Sequence, residues 1–185
     1  LEIRSVTLAK EDPGSDVLDK KPVVDEFGQW MPSGWDGKVR SLEDATRAWR
    51  AEEAALTGGD FGFSKFGGYA NTKAKATGFF RVEQVDGKWW FVDPEGHLFF
   101  STSSNVVGPH GGDSRLEERA DYFAAMPPTM EGRQPGTTRP MGFHAWNLQR
   151  RHGEDWQAKW RDLTVKRMDD WGLNTVGNWS DPKLW

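Results

Sequence analysis

The chain has 185 residues and a formal net charge of −4, with 24 Lys and Arg against 28 Asp and Glu. This balance, without any long basic run, argues against nucleic acid and against an anionic membrane surface as partners. Cysteine is absent, which excludes disulfides and thiol catalysis, and no stretch approaches the about 18 to 20 apolar residues of a membrane span. The four histidines lack metal-ligand spacing, so the sequence predicts neither a metal site nor a cofactor.

The N-terminal segment predicts the end of one domain followed by a linker. Residues 1–8 alternate between apolar and polar side chains with period two, which is typical of a β-strand. A first strand has no earlier neighbour to pair with, so we interpret it as the last strand of a β-domain cut off upstream. Residues 9–21 are polar and contain Pro and Gly, which indicates a linker.

A loop and a helix follow. Residues 22–38 read as an aromatic loop, because Phe27, Trp30 and Trp35 lie among Pro and Gly. Ser41 is a typical N-cap for a helix that ends at Thr57-Gly58-Gly59, and the next twenty residues are a Gly-rich loop.

The clearest local pattern is a hairpin with a third strand. Residues 79–85 and 88–92 read as strands joined by the two-residue turn Asp86-Gly87. Residues 93–96 form a second turn, and residues 97–101 are almost continuously apolar, as in a strand buried on both faces.

The remainder predicts a βαβ unit. Residues 104–112 form a Gly-rich loop, a short helix runs from Ser114 to about Met126, and residues 127–142 are a loop. A long helix covers about 154–171, and its apolar face carries Trp156, Trp160, Leu163, Met168 and Trp171. Residues 173–179 form a strand, which we expect to lie parallel to 97–101. About 70 residues separate these strands, whereas the strands of a (β/α)8 barrel usually recur about every 30 residues. The extra residues lie between the end of the first strand and the long helix, on the face where barrels build active sites.

Four segments carry a resemblance to a known family: residues 22–30, 76–83, 87–101 and 171–181. The last two hold the stretches Trp-Trp-Phe-Val-Asp-Pro-Glu-Gly and Trp-Gly-Leu-Asn-Thr-Val-Gly-Asn-Trp. The chain resembles β-agarases and related glycoside hydrolases of family 50, which have a carbohydrate-binding-like β-sandwich followed by a (β/α)8 barrel.

The resemblance implies an α/β fold that starts a (β/α)8 barrel. Residues 97–101 and 173–179 would be the first two barrel strands, and the hairpin 79–92 would close the bottom. Residues 1–21 would end the truncated sandwich with its linker, and residues 22–185 would form the incomplete N-terminal part of the barrel.

The resemblance also implies a retaining mechanism that uses two glutamates from later strands. The catalytic residues would therefore lie beyond residue 185, and this chain alone would be inactive. Its partners would be a galactose-containing, agarose-like polysaccharide and the remainder of its own barrel. A polymer too large to import implies a secreted or periplasmic location, although residues 1–4 lack the layout of a signal peptide. The alternative is a noncatalytic carbohydrate-binding or scaffold protein that uses its tryptophans as platforms.

Five residues are candidates for substrate binding: Asn105, His110, Asn178, Trp179 and Asp181. The two asparagines follow or end the proposed barrel strands, where an amide can bind sugar hydroxyls or cap a turn. Trp179 is suited to stacking on a sugar or to packing in the core.

Asp181 and His110 are weaker candidates. Asp181 can accept sugar hydroxyls or open the next turn, and His110 lies in a loop over the expected cleft or is an ordinary surface histidine. His144 and Trp146, in the long insertion, are minor candidates.

For the other conspicuous residues, the sequence favours a structural role. Asp93 and Glu95 lie on the entry side of strand 97–101, so we interpret them as turn residues. Trp89 and Trp90 point to opposite sheet faces, which favours packing for at least one of them.

Overall fold

The computed structural model describes residues 21–110, 119–131, 136 and 138–184. Its contacts divide the chain into two units, of which the first holds the described residues within 1–39 and 112–147. The second holds residues 40–110 and the described part of 148–185. The predicted strand 1–8, the linker up to residue 20 and the start of the predicted helix 114–126 lie outside the described residues. The predicted domain boundary at residue 21 therefore stays a prediction.

In the first unit, the chain around residue 23 pairs with the chain around residue 122. The amides of Val23 and Val24 both donate to the Tyr122 carbonyl, at 2.9 and 3.0 Å. The rings of Phe123 and Phe143 stack with centroids 5.6 Å apart. Among the described residues of this unit, the buried apolar side chains include Val23, Phe27, Met141, Phe143 and Ala145.

The segment predicted as the loop 127–142 contains regular structure. Its β-strands Thr129–Glu131 and Thr138–Pro140 pair antiparallel, and a helix, Phe143–His152, follows them. The loop prediction was wrong because these short strands lack the apolar alternation that marks a strand. A 3₁₀ turn at Ala120–Tyr122 lies within the described part of the predicted helix 114–126.

In the second unit, the two predicted helices are confirmed, at residues 42–55 and 156–170. We number all helices in chain order. Helix α1 is Leu42–Ala55, and the Ser41 hydroxyl accepts a hydrogen bond from the Asp44 amide at 3.1 Å. Helix α2 is the Phe143–His152 helix, whose second half belongs to this unit. Helix α3 is Trp156–Asp170.

The predicted apolar face of α3 is buried except at its end. Trp156, Trp160, Leu163 and Met168 are buried, but Trp171 is exposed. Trp171 follows the last helical residue, and Gly172 takes a positive φ of 67° there. Trp171 is therefore not part of the buried face within the described residues.

Arginine side chains connect the three helices. Arg151 of α2 donates to Glu52 at 2.8 Å, to Glu53 at 2.7 Å and to the Trp49 carbonyl at 3.2 Å. Arg167 of α3 donates to Glu52 through Nε at 2.7 Å. Burial would raise the pKa of the Glu52 carboxyl, but the hydrogen bonds from the two arginines hold it below its ordinary value.

The strands of this unit form an antiparallel sheet and a parallel pair. Strands β1 (Arg81–Val85), β2 (Lys88–Val92) and β3 (Leu98–Phe99) form the antiparallel sheet in that order. Asp86 and Gly87 both have positive φ, at 49° and 75°, as a type I′ hairpin turn requires. Strand β4 is Ser103–Ser104 and pairs in parallel with Thr175–Val176. We number Thr175–Val176 as β7, because the strands at 129–131 and 138–140 in the first unit come before it as β5 and β6.

The pairing of residues 97–101 differs from the prediction. Leu98–Phe99 pairs antiparallel with β2, and the parallel partner of Thr175–Val176 lies further along, at Ser103–Ser104. Phe100 is exposed, so this segment is not buried on both faces. The physical reason is the tight turn at 93–96, which folds the chain directly back onto β2.

Asp93 organises that turn, as the sequence predicted. Its carboxylate is fully buried and accepts hydrogen bonds from the amides of Glu95 and His97, both at 2.9 Å. The Ser64 hydroxyl donates to it at 2.6 Å, and the His97 Nδ1 lies 3.1 Å away.

Asn174 aligns the parallel pair. Its Oδ1 accepts from the Thr102 amide, and its Nδ2 donates to the carbonyls of Gly67 and Phe100, each at 2.9 Å. The start of β7 is thereby tied to the start of β4. Among the described residues, no helix combines the length and the apolar character needed to span a membrane.

Candidate functional site

The parallel pair places its two exit loops at the same edge. Ser103 lies opposite Thr175, and Ser104 lies opposite Val176. The carboxyl ends of β4 and β7 therefore face the same way, whereas the strand predicted for this place, 97–101, pairs with β2 instead. We call residues 105–107 and 177–181 the carboxyl edge.

Asn105 and Asn178 meet at the carboxyl edge. The Asn178 amide donates to Asn105 Oδ1 at 3.0 Å, and the Trp179 amide donates to Asn178 Oδ1 at 2.9 Å. The Val106 amide donates to the Asn178 carbonyl at 2.8 Å. Both side-chain oxygens therefore cap turns, which is the structural role that the sequence left open. Among the described residues neither Nδ2 has a hydrogen-bond partner, so both exposed amino groups can donate to a ligand.

Two residues of the carboxyl edge have strained backbones. Val106 and Trp179 take positive φ angles of 58° and 59°, a region that bulky and β-branched residues avoid. Such strain costs on the order of 1 to 3 kcal/mol per residue and often accompanies function. The Trp179 side chain is 77% exposed, so the alternative of core packing does not hold in this structure.

Asp181 takes part in the next turn. Its Oδ1 accepts from the Lys183 amide at 2.9 Å, and its Oδ2 lies 3.7 Å from Arg161 Nη1 on α3. Its own amide donates to the Val107 carbonyl at 2.8 Å. The turn-opening role is therefore present, and a role in binding sugar hydroxyls stays a prediction.

The other predicted candidates lie elsewhere. The exposed His110 ring packs edge-on against Trp156, with centroids 6.0 Å apart, at the start of α3. His144 and Trp146 belong to α2, in the first unit. His110 is thus assigned a packing contact, and its expected role over a cleft stays a prediction.

Sequence reasoning missed two contributors to the carboxyl edge. The Ser180 hydroxyl accepts from the Val107 amide at 3.0 Å, and its place in the polar run Asn178-Trp179-Ser180-Asp181 was an available signal. The left-handed Val106 gave no signal, because valine disfavours this conformation.

The carboxyl edge offers amide donors and an indole face without a concentration of charge. Within the described residues no group of His, Asp and Glu is placed to hold a metal ion. Such a surface suits a neutral, hydroxyl-rich ligand with flat apolar faces.

Comparisons with curated proteins find two β-agarases, while no family model matches. β-Agarase B from Vibrio sp. (strain JT0107) is 30% identical over 92% of this chain and 22% of its own length. β-Agarase A from the same strain is 31% identical over 88% of this chain and 19% of its own length. The chain therefore spans about a fifth of these relatives.

Two solved structures that resemble this chain are also agarases. An agarase designated AgWH50C superimposes with a TM-score of 0.79 at 33% identity, over 89% of this chain and 28% of that one. An exo-β-agarase gives a TM-score of 0.75 at 28% identity, over 93% of this chain and 31% of that one. The mixed α/β fold thus matches one part of these agarases.

Proposed function

Because the chain is homologous to β-agarases over about nine-tenths of its length, we propose that it forms part of a glycoside hydrolase. The proposed substrate is a β-linked, galactose-containing polysaccharide of the agarose type. Sequence identity and fold similarity to several agarases support this proposal.

We further propose that β4 and β7 are the first two strands of a (β/α)8 barrel. Their parallel pairing and the helix α3 that precedes β7 support this assignment. In such barrels the carboxyl ends of the strands build the active site. The carboxyl edge would then line the substrate cleft.

The observation that carries this proposal is the pairing of Asn105 with Asn178 beside the exposed Trp179. The two free amino groups can donate to sugar hydroxyls, and the indole can stack on the apolar face of a sugar ring. Asp181 adds a carboxylate that can accept hydroxyl hydrogen bonds next to them.

This part of the enzyme would bind and orient sugar and would not transfer protons. The proposed retaining mechanism needs a glutamate acid/base and a glutamate nucleophile about 5 to 5.5 Å apart. We propose that both belong to later barrel strands. The described carboxylates at Asp93 and Glu52 are already held by hydrogen bonds within the fold.

The role of Asn178 is tested by two substitutions in the full-length protein. Asn178→Asp keeps an oxygen for the Trp179 amide but removes the free donor, whereas Asn178→Ala removes both. If Nδ2 binds sugar, both variants lose roughly 1 to 3 kcal/mol of transition-state binding, or about 5- to 150-fold in kcat/KM on agarose. The assay is the release of reducing ends.

The matched pair Asn105→Asp and Asn105→Ala applies the same logic to the neighbouring amide. If the Asp variant keeps its kcat/KM and the Ala variant has a lowered melting temperature, the asparagine acts only as a turn cap. A full-length protein that binds agarose without cleaving it would instead favour the noncatalytic carbohydrate-binding alternative.

A further inference from the structure

A second tryptophan-bearing surface lies in the first unit, on the segment 29–39, which we call the tryptophan loop. The Gln29 side chain closes its base: Nε2 donates to the Val39 carbonyl at 2.8 Å, and Oε1 accepts from the Val39 amide at 3.0 Å. Asp25 holds this glutamine by accepting from its Nε2 at 2.9 Å. The loop has the closed ends of an Ω-loop, a type of loop that is frequently functional.

Lys38 fills the centre of the tryptophan loop. Its ammonium donates to the carbonyls of Trp30 at 2.6 Å, Ser33 at 2.7 Å and Met31 at 3.3 Å. The three ammonium donors are thus used inside the loop. The same nitrogen lies 4.7 Å from the centre of the Trp35 ring, within range of a cation–π contact. One side chain therefore fixes both the path of the loop and one of its indoles.

This fixed loop exposes large apolar side chains. Trp30 is 44% exposed, Met31 is 43% exposed and Trp35 is 47% exposed. Rigid aromatic side chains give contact area at a low cost in conformational entropy. A loop that exposes two indoles, one of them held by Lys38, is suited to a ligand that stacks on rings.

The charges of the tryptophan loop favour a neutral ligand. Asp36 and Lys38 are its charged residues, so its net charge is zero. The lysine is occupied by carbonyls, and nothing in the loop concentrates positive charge for a phosphate or negative charge for a cation. The exposed Asp36 can accept hydrogen bonds from hydroxyls.

We propose that the tryptophan loop is an accessory binding site for the neutral galactose-containing polysaccharide, separate in function from the carboxyl edge. This inference rests on the proposed function for the class of sugar. The loop would hold a strand of polymer through ring stacking on Trp30 and Trp35. It would raise affinity for the polymer without taking part in bond cleavage.

The test uses the full-length protein with the double substitution Trp30→Ala/Trp35→Ala. The probe is agarose beads, with cellulose beads as a comparison polymer, and the readout is the fraction of protein retained. We expect binding to agarose to weaken about tenfold or more. The melting temperature and kcat/KM on a short soluble agaro-oligosaccharide are expected to stay unchanged.

Two further variants sharpen the test. Trp89→Ala removes an indole that is 72% exposed in the other unit, and it should leave retention unchanged. Lys38→Met keeps an unbranched side chain that is one atom shorter, and it removes the three donors. It should weaken retention although both indoles remain, because the loop loses its fixed shape.

The outcomes separate the two proposals. Unchanged retention of the double variant overturns the accessory site, and so does an equal loss of activity on the short oligosaccharide. A large drop in melting temperature also overturns it, because it would show that these indoles pack against another part of the protein. If the parent protein releases no reducing ends from agarose at all, the proposed function fails instead.

Discussion

Asp93 shows how one residue can hold a charge inside the fold. Burial alone would raise the pKa of this carboxyl, but hydrogen bonds from Ser64 and from the backbone and ring of His97 hold it below its ordinary value. Gly68 lies so close that an added Cβ would come within 2.8 Å of Asp93 Oδ2. The site is therefore built for a carboxylate with every lone pair occupied.

We predict that Asp93→Asn makes stability less dependent on pH. Because the folded pKa lies below the unfolded value of about 3.9, the carboxylate stabilises the fold above that pH. This contribution is lost as the pH falls through the folded pKa. The parent's free energy of unfolding should therefore rise with pH across this acid range, and the variant's should rise less. Above about pH 5 the variant should be less stable by roughly 1 to 3 kcal/mol.

Urea unfolding followed by tryptophan fluorescence, repeated from acid to neutral pH, measures this difference. Ser64→Ala is the control, because it keeps the carboxylate and removes one donor. Parallel pH curves for the parent and Asp93→Asn would show that Asp93 carries no such linkage.

At the scale of elements, the β4–β7 pair depends on a close approach at Gly177. An added Cβ there would lie 2.0 Å from Asn105 Oδ1 and 2.7 Å from the Ser104 carbonyl oxygen. Gly177→Ala should therefore displace Asn105 and cost about 1 to 3 kcal/mol, with a lower melting temperature. Gly108→Ala is the matched control in the neighbouring loop, since its nearest atom is 4.0 Å away. Equal melting temperatures for the two variants would contradict this account.

The helices offer a second comparison, between an enclosed and an exposed arginine. The Arg151 side chain is 6% exposed and bonds to Glu52, Glu53 and a carbonyl, whereas the Arg47 side chain is 70% exposed and pairs with Asp44. We predict that Arg151→Met lowers stability by about 2 to 4 kcal/mol, because acceptors on α1 lose their partner. Arg47→Met should cost less than about 1 kcal/mol. Thermal unfolding of the two variants measures these losses of stability. Similar losses for both variants would refute the distinction between the enclosed and the exposed arginine.

Elements with local signals were predictable from the sequence, and those held by distant partners were not. Ser41 and the Asp86-Gly87 turn identified α1 and the hairpin, because caps and tight turns are set by adjacent residues. Strand β4 is two serines without apolar alternation, and only its bonds to the chain around Asn174 make it a strand. Asn105 and Asn178 lie together because parallel strands end at one edge, but the strand that leads to Asn105 is β4 and not the predicted 97–101.

The exposed apolar surface matters at the scale of the whole molecule. Several large apolar side chains on and around the β1–β2 hairpin are more than half exposed: Phe79, Phe80, Val82, Trp89, Phe91 and Phe100. The tryptophan-bearing face of α3 would be another source of such surface. Trp156 and Trp160 are buried, so the hairpin is the larger source of such surface.

We predict that the 185-residue chain alone releases no reducing ends from agarose and self-associates. Under the proposed function the two catalytic glutamates belong to later barrel strands, and an exposed apolar hairpin favours association. Sedimentation and the reducing-end assay test both statements, first alone and then with the downstream segment added as a separate chain. Trp89→Ser/Phe91→Ser should reduce the association. Activity of the chain alone, abolished by Asp181→Asn, would overturn the proposed mechanism.

At the carboxyl edge, side chains are exposed to solvent while the backbone amides are protected by hydrogen bonds. The amides of Val106, Val107 and Asp181 each donate across the edge, and those of Asn178 and Trp179 donate to asparagine oxygens. Hydrogen–deuterium exchange requires such bonds to open, whatever the accessible area of the side chains. Exchange should therefore be slow at this edge while the exposed turn residue Gly87 exchanges quickly. A ligand that binds there would meet a surface already rigid before it arrives.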